Sequence, residues 1–252
     1  MPDWDRRQFM GLLIAAGVLP RQSLAMGDST LVDIAELDVG RGTVSRPGAW
    51  ELLLYDLEQT TSVSTRPGSV RVKPEQPELF EHPFLVLAGD GGFEPLSETA
   101  VGQLSEYLAY GGFLVMDDKS GLLDSEFDRS ARRLARRLFP TRPMAPLQQD
   151  HSIYRSFFLL ESVAGRVSST KMLEGVTVGN LCPLVYSQND LSGALDRGPD
   201  GRYRFACVPG GERQRKGALK VWVNLLMYAL TANYKNDQAH IRQLMLERRL
   251  PR

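Results

Sequence analysis

Along the chain, short apolar runs alternate with longer segments whose apolar residues recur every three or four positions. Leu31–Leu37 (LVDIAEL) mixes apolar and acidic residues in near alternation, as a strand does. Phe84–Ala88 (FLVLA) and Phe113–Met116 (FLVM) are continuous apolar runs, the pattern of parallel strands covered on both faces. Val70–Val72, Pro183–Ser187 and Tyr203–Val208 are further strand candidates. Between them the period lengthens. Ala49–Gln59 reads as a helix with Leu52, Leu53, Tyr55 and Leu57 inward. Ser97 can cap a helix that runs to Tyr110 and ends at Gly111-Gly112, with Ala100, Val101, Leu104 and Leu108 on its apolar face. Ser125 to Phe139 forms a basic helix stopped by Pro140. Glu212–Asn233 is a long helix, and Asp237 to Arg248 is a last amphipathic one presenting Ile241, Leu244 and Leu246. Strands alternating with helices predict a three-layer α/β domain with a mostly parallel sheet.

The first residues follow another pattern. A charged start containing Arg6-Arg7 and Phe9 leads into the apolar run Gly11–Leu19 and then Ser23-Leu24-Ala25. Charged, apolar and small-x-small parts in that order make a secretory signal. An arginine pair followed by an aromatic two places on resembles the twin-arginine consensus. A spanning helix needs about 20 apolar residues, more than this run supplies. The expectation is therefore an export signal over 1–25, a domain over 26–235 and a C-terminal amphipathic helix over 236–252. The location expected is periplasmic or otherwise exported, with the twin-arginine translocase as partner during export.

Composition narrows the classes. Thirty basic residues balance thirty acidic ones, so no global charge draws the chain to nucleic acid or to an anionic membrane. The mature part carries no second apolar stretch long enough to span a bilayer. Cys182 and Cys207 are the two cysteines; in an oxidising compartment they can bridge, or remain two buried thiols.

Ligands of parallel α/β sheets bind beyond the carboxyl ends of the strands, where the strand order switches. Three segments put polar residues there: Gly89-Asp90-Gly91-Gly92, Asp117-Asp118-Lys119 and Ser187-Gln188-Asn189-Asp190. Asp150-His151 lies in a loop that can reach the same edge. Asp117, Asp118, Asp90, Asp150 and His151 together would form an oxygen-rich cluster with one imidazole. Such a cluster suits a divalent metal ion such as Mg²⁺, Ca²⁺ or Mn²⁺, or a general acid/base pair. The alternative is a strand-ending turn in which a carboxylate caps backbone N–H groups. There is no GxGxxG, no GxxxxGK[ST] and no GxSxG, and neither cysteine occupies a strand-to-helix elbow.

The stretch "HPFLVLAGDGGFEPLSETAVGQLSEYLAYGGFLVMDDKSG", then "FDRSARRLARRLFP", "QQDHSIYRSFF" and the helix Lys220-x-x-x-Asn224-x-x-x-Tyr228-Ala-Leu-Thr resembles the bacterial domain-of-unknown-function family 4159. The resemblance runs from about Leu31 to Ala232. It implies a flavodoxin-like fold of the class I glutamine amidotransferase type, and it implies no particular reaction. Matching positions are Gly89, Gly91, Gly111, Gly112, Asp117, Asp118, Asp150, His151, Tyr154, Ser187, Asp190, Lys220 and Asn224. Asp90 stands where the family usually has histidine, and Ser152 where it has proline. No matching motif supplies the cysteine nucleophile that an amidotransferase needs.

Two functions are thus expected. The first is a non-catalytic cell-envelope module binding a ligand or protein partner through Gly89, Asp90, Gly91, Asp117, Asp118, Asp150, His151, Tyr154, Ser187 and Asp190. The second is an exported metal-assisted hydrolase with Asp117, Asp118 and His151 as metal ligands and Asp150 beside them.

Overall fold

A computed structural model describes residues 31–246, with side chains as far as Thr231. The expected export signal with Arg6, Arg7 and Phe9 lies outside the described residues, as do the side chains of Ile241, Leu244 and Leu246.

Seven strands form one sheet: β1 (Val32–Leu37), β2 (Thr65–Val72), β3 (Phe84–Gly89), β4 (Phe113–Asp118), β5 (Ala145–Pro146), β6 (Glu174–Val178) and β7 (Leu181–Ser187). Their order is β2-β1-β3-β4-β7-β6-β5. The first five in that order are parallel, and β6 and β5 extend the sheet antiparallel. Four α-helices accompany them among the described residues: α1 (Pro47–Thr60), α2 (Glu98–Ala109), α3 (Glu126–Leu138) and α4 (Gly211–Leu246). None is long and apolar enough to cross a membrane.

The period-2 alternation of the strands builds two cores. Ile34, Val86, Val115 and Val185 face α1 and α4, where Trp50 and Trp222 meet edge to face with ring centres 5.1 Å apart. Leu85, Leu87, Leu114, Met116, Leu184 and Tyr186 face α2 and α3. The sheet is therefore covered on both sides, as its uninterrupted apolar strands require. The start of α2 follows the capping chemistry read from the sequence, with Ser97 Oγ accepting from Ala100 N at 3.0 Å; α3 is capped in the same way, Ser125 Oγ accepting from Asp128 N at 2.8 Å.

Some elements differ from the pattern reading. Tyr203–Val208 is not a strand; Tyr203 only forms an isolated bridge with Arg197. The segment is consumed instead by cation–π stacking, with Tyr203 under Arg215 at 3.7 Å and Phe205 under Arg46 at 4.8 Å. β2 begins at Thr65, through Pro67-Gly68, which an edge strand tolerates because one side of its backbone needs no partner. The two helices expected at the C-terminal end form one continuous α4.

Several of the motifs that carry the resemblance are stitches in this fold. Tyr107 lies flat against Gly112, where an added Cβ would stand 2.2 Å from its ring, and Tyr107 Oη donates to His82 O at 2.9 Å and accepts from Phe113 N at 3.2 Å. Asn224 donates to Ile153 O and Phe158 O, both at 2.8 Å, and accepts from Phe158 N at 2.7 Å. Tyr228 Oη accepts from Cys182 N at 2.8 Å.

Candidate functional site

The strand order places the switch point between β1 and β3, from which the chain departs in opposite directions. The loop after β1 folds back over that point. Val44 N donates to Ala88 O at 3.0 Å, and Thr43 bridges Gly89. A Cβ on Gly89 would lie 1.9 Å from Gly42 O. The bare backbone of Gly89 thus admits the protein's own loop rather than a ligand.

Beneath this loop, at the carboxyl ends of β4 and β7, polar side chains are buried and mutually satisfied. Adjacent residues of an extended strand point to opposite faces, and Asp117 and Asp118 obey that rule. Asp117 leans toward the α1/α4 face and accepts from Leu191 N at 2.8 Å, Ser192 N at 2.9 Å and Ser192 Oγ at 2.6 Å. Burial, reinforced by the charge of Asp190, pushes its carboxyl up to about 6. Asp118 leans toward the α2/α3 face and accepts from Ser120 N at 2.8 Å and Ser125 Oγ at 2.5 Å. Tyr186 Oη reaches it at 3.3 Å and Asp128 at 2.9 Å. Asp118 therefore anchors the residue that caps α3.

Asp190, three residues beyond the end of β7, has a left-handed backbone, φ +52°, and is fully buried. Its carboxylate is clamped by the guanidinium groups of Arg46 and Arg166 and accepts from Gly193 N at 3.0 Å. Two opposite charges and a backbone donor offset the desolvation of a buried anion. Lys119 is buried beside them and donates from Nζ to Val44 O. Burial, with Arg46 close by, lowers its ammonium to about 8, while Asp117, Glu36 and Asp190 act against that shift. Ser187 Oγ accepts from Asn189 N at 3.2 Å and belongs to the same layer.

Above the layer opens a cleft of about 660 Å³. Ser45, Arg46 and Glu51 form one wall, and Asp196, Arg197, Arg204 and Phe205 the other; Asp90 lies between and is exposed. Arg197 Nε is buried without a hydrogen-bond partner. Asp90 has no strained backbone, and α2 starts only at Glu98, so the turn after β3 lacks the geometry of a nucleophile elbow.

Of the residues expected at one site, Gly89, Asp90, Gly91, Asp117, Asp118, Ser187 and Asp190 do gather at this edge. Asp150, His151 and Tyr154 do not. His151 Nδ1 accepts from Ile153 N at 3.2 Å, capping a 3-10 turn (Ser152–Arg155), and its ring lies 5.9 Å from that of Tyr228. Tyr228 is bonded to Cys182 at the amino end of β7, about 17 Å of strand from Ser187 at roughly 3.3 Å per residue. Burial lowers the pKa of His151, with Asp150 opposing the shift. Tyr154 Oη accepts from Leu173 N at 2.9 Å inside the core. The metal set Asp117, Asp118 and His151 is thus not assembled: the two aspartates point apart and the imidazole is at the other end of the sheet. Among the described residues no group of three histidine, cysteine or acidic side chains is arranged to hold a metal ion. Cys182 and Cys207 are both buried and unbridged, at opposite ends of the sheet. The arginine clamp and Ser192 escape the sequence reading, which brings Lys119 to the rim only as part of Asp117-Asp118-Lys119; Arg46 directly precedes Pro47 at the start of α1, the first helix after the switch, which is the signal that points to it.

No curated protein matches the chain. A family model, a domain of unknown function (DUF4159), matches residues 33–230, which covers the sheet except for Val32 and takes in the edge network. The chain belongs to the DUF4159 family.

Proposed function

We propose that this protein is an exported cell-envelope module that binds a ligand or partner without transforming it, on a flavodoxin-like, class I glutamine amidotransferase-like fold. One observation carries the reading: the carboxylates buried at the strand ends, Asp117, Asp118 and Asp190, are each engaged by donors of their own chain. They hold loops in place, which leaves none of these three free to act as base or metal ligand. The open cleft above them, with Arg197, Arg204, Asp90 and the half-exposed Phe205, offers recognition groups of both charges and an aromatic face. The order β2-β1-β3-β4-β7 supports the flavodoxin-like assignment. Arg6-Arg7, Phe9 and the short apolar run support delivery to the periplasm by the twin-arginine translocase, with residues 1–25 as the signal.

A thermal-shift screen of small metabolites, with each stabilising compound recovered and weighed by mass spectrometry, tests this. The expected result is a compound that raises the melting temperature, loses that effect in Phe205→Ala or Arg204→Ala, and is recovered unchanged. A compound recovered as product, with conversion lost in a folded Asp118→Asn variant, would instead make the protein an enzyme. A screen in which nothing stabilises it would remove the cleft as a small-ligand site.

A further inference from the structure

A second concave surface lies apart from the strand-end network. It runs between the first turns of α4 and residues 159–164, with a volume of about 760 Å³. From α4 it is lined by Arg213, Lys216 and Lys220, spaced by three and four, hence on one helical face. Three other arginines of the domain are paired: Arg46 and Arg166 with Asp190, and Arg215 with Glu212. Arg213, Lys216 and Lys220 form no ion pair among the described residues, and Lys220 stands 5.3 Å from the Phe158 ring centre. Glu212 beside them is engaged by Arg215 at 2.8 Å, leaving Glu161 as the other acid of the groove. Across from the cations is Leu159, 83% exposed, the most exposed large apolar side chain described.

We propose that this groove docks an acidic segment of a partner protein, its carboxylates against Arg213, Lys216 and Lys220 and an apolar side chain over Leu159. Charge complementarity selects the occupant: three cations in two helical turns repel one another until anions arrive, and a concave groove suits a chain segment better than a flat membrane. The exposed leucine supplies the apolar contact that a purely ionic attraction lacks.

The test uses a short fluorescein-labelled peptide alternating glutamate with leucine, titrated with the protein and followed by anisotropy. Binding is expected at low salt and should weaken steeply toward ~0.5 M NaCl, where charges are screened beyond about 4 Å. The variant R213E/K216E/K220E, altered only at exposed positions, should keep its melting temperature, lose at least about tenfold in affinity and gain binding to a lysine–leucine peptide. Leu159→Ala should weaken binding a few-fold with the same salt dependence. R204E, in the strand-end cleft, should bind the acidic peptide as the parent does, which separates this groove from the function proposed above. Equal binding by the triple variant, or no binding by the parent at low salt, overturns the proposal. So does tight binding to phosphatidylglycerol vesicles that the acidic peptide fails to displace.

Discussion

Asp117 is a titratable clasp, and its strength can be read from the pH dependence of unfolding. The carboxyl is fully buried under the turn at Leu191-Ser192, and burial with the charge of Asp190 raises it from 3.8 to about 6. An acid whose pKa is higher in the folded than in the unfolded chain binds its proton more tightly when folded. Its stabilising contribution is complete below the unfolded pKa near 3.8 and fades as pH rises through about 6. A difference of about 2 units, at roughly 1.4 kcal/mol each, amounts to about 3 kcal/mol lost between pH ~4 and ~7. Asp117→Asn removes the titration. Urea unfolding, followed through the buried Trp50 and Trp222, would be run for parent and variant across this range. Whatever the fixed cost of the substitution, the stability gap between them should move by about 3 kcal/mol in the variant's favour on going from pH ~4 to ~7. Other titrating groups appear in both proteins and cancel in the difference. Curves that run parallel within about 0.5 kcal/mol would refute the reasoning, because Asp117 would then ionise as freely folded as unfolded.

Asn224→Ala strips partners from Ile153 O, Phe158 O and Phe158 N, and should cost about 3 kcal/mol or more in the same unfolding assay; a loss below about 1 kcal/mol would show that the loop is held by something else. Gly112→Ala forces a methyl against the Tyr107 ring and should cost about 2 kcal/mol, much less in a Tyr107→Leu background; additive effects would argue against the close approach. Burial pushes the Cys182 thiol up to about 12 and raises Cys207 as well, so neither should react with Ellman's reagent at pH ~8 while the protein is folded. Unfolding without reductant should release two reactive thiols, and finding none would mean that they are bridged.

The parts of the fold that the sequence displays are those with one strong local cause. β3 and β4 are covered on both faces and therefore read as apolar runs, and Ser97 announces its helix by capping chemistry. β6 escapes notice because Glu174-Gly175-Val176-Thr177-Val178 is short and its partners lie across a hairpin whose turn is Gly179-Asn180. The gathering of Asp117, Asp118, Ser187 and Asp190 was legible, since strand ends must share an edge. Their chemistry was not. Arg46 and Asp190 meet 144 residues apart in sequence, a separation at which no local pattern carries information. The placement of His151 has a similar origin: a loop following the edge strand β5 can turn toward either end of the sheet, and this one carries the imidazole to within 5.9 Å of the Tyr228 ring. The sequence reading ends the fourth strand at Met116, whereas β4 runs through Asp118, and neighbours in a strand point to opposite faces, so the two carboxylates part.

The bonds from Asp117 to the β7 turn span 74 residues of chain, with the whole of α3, β5 and β6 in between. Contacts of such length close late, because the entropy of ordering the intervening segment must be met before they form. The floor of the strand-end cleft consequently exists only after β7 has seated against β4. Anything that recognises the cleft recognises a chain whose folding is finished, and a half-folded molecule offers it no surface to hold.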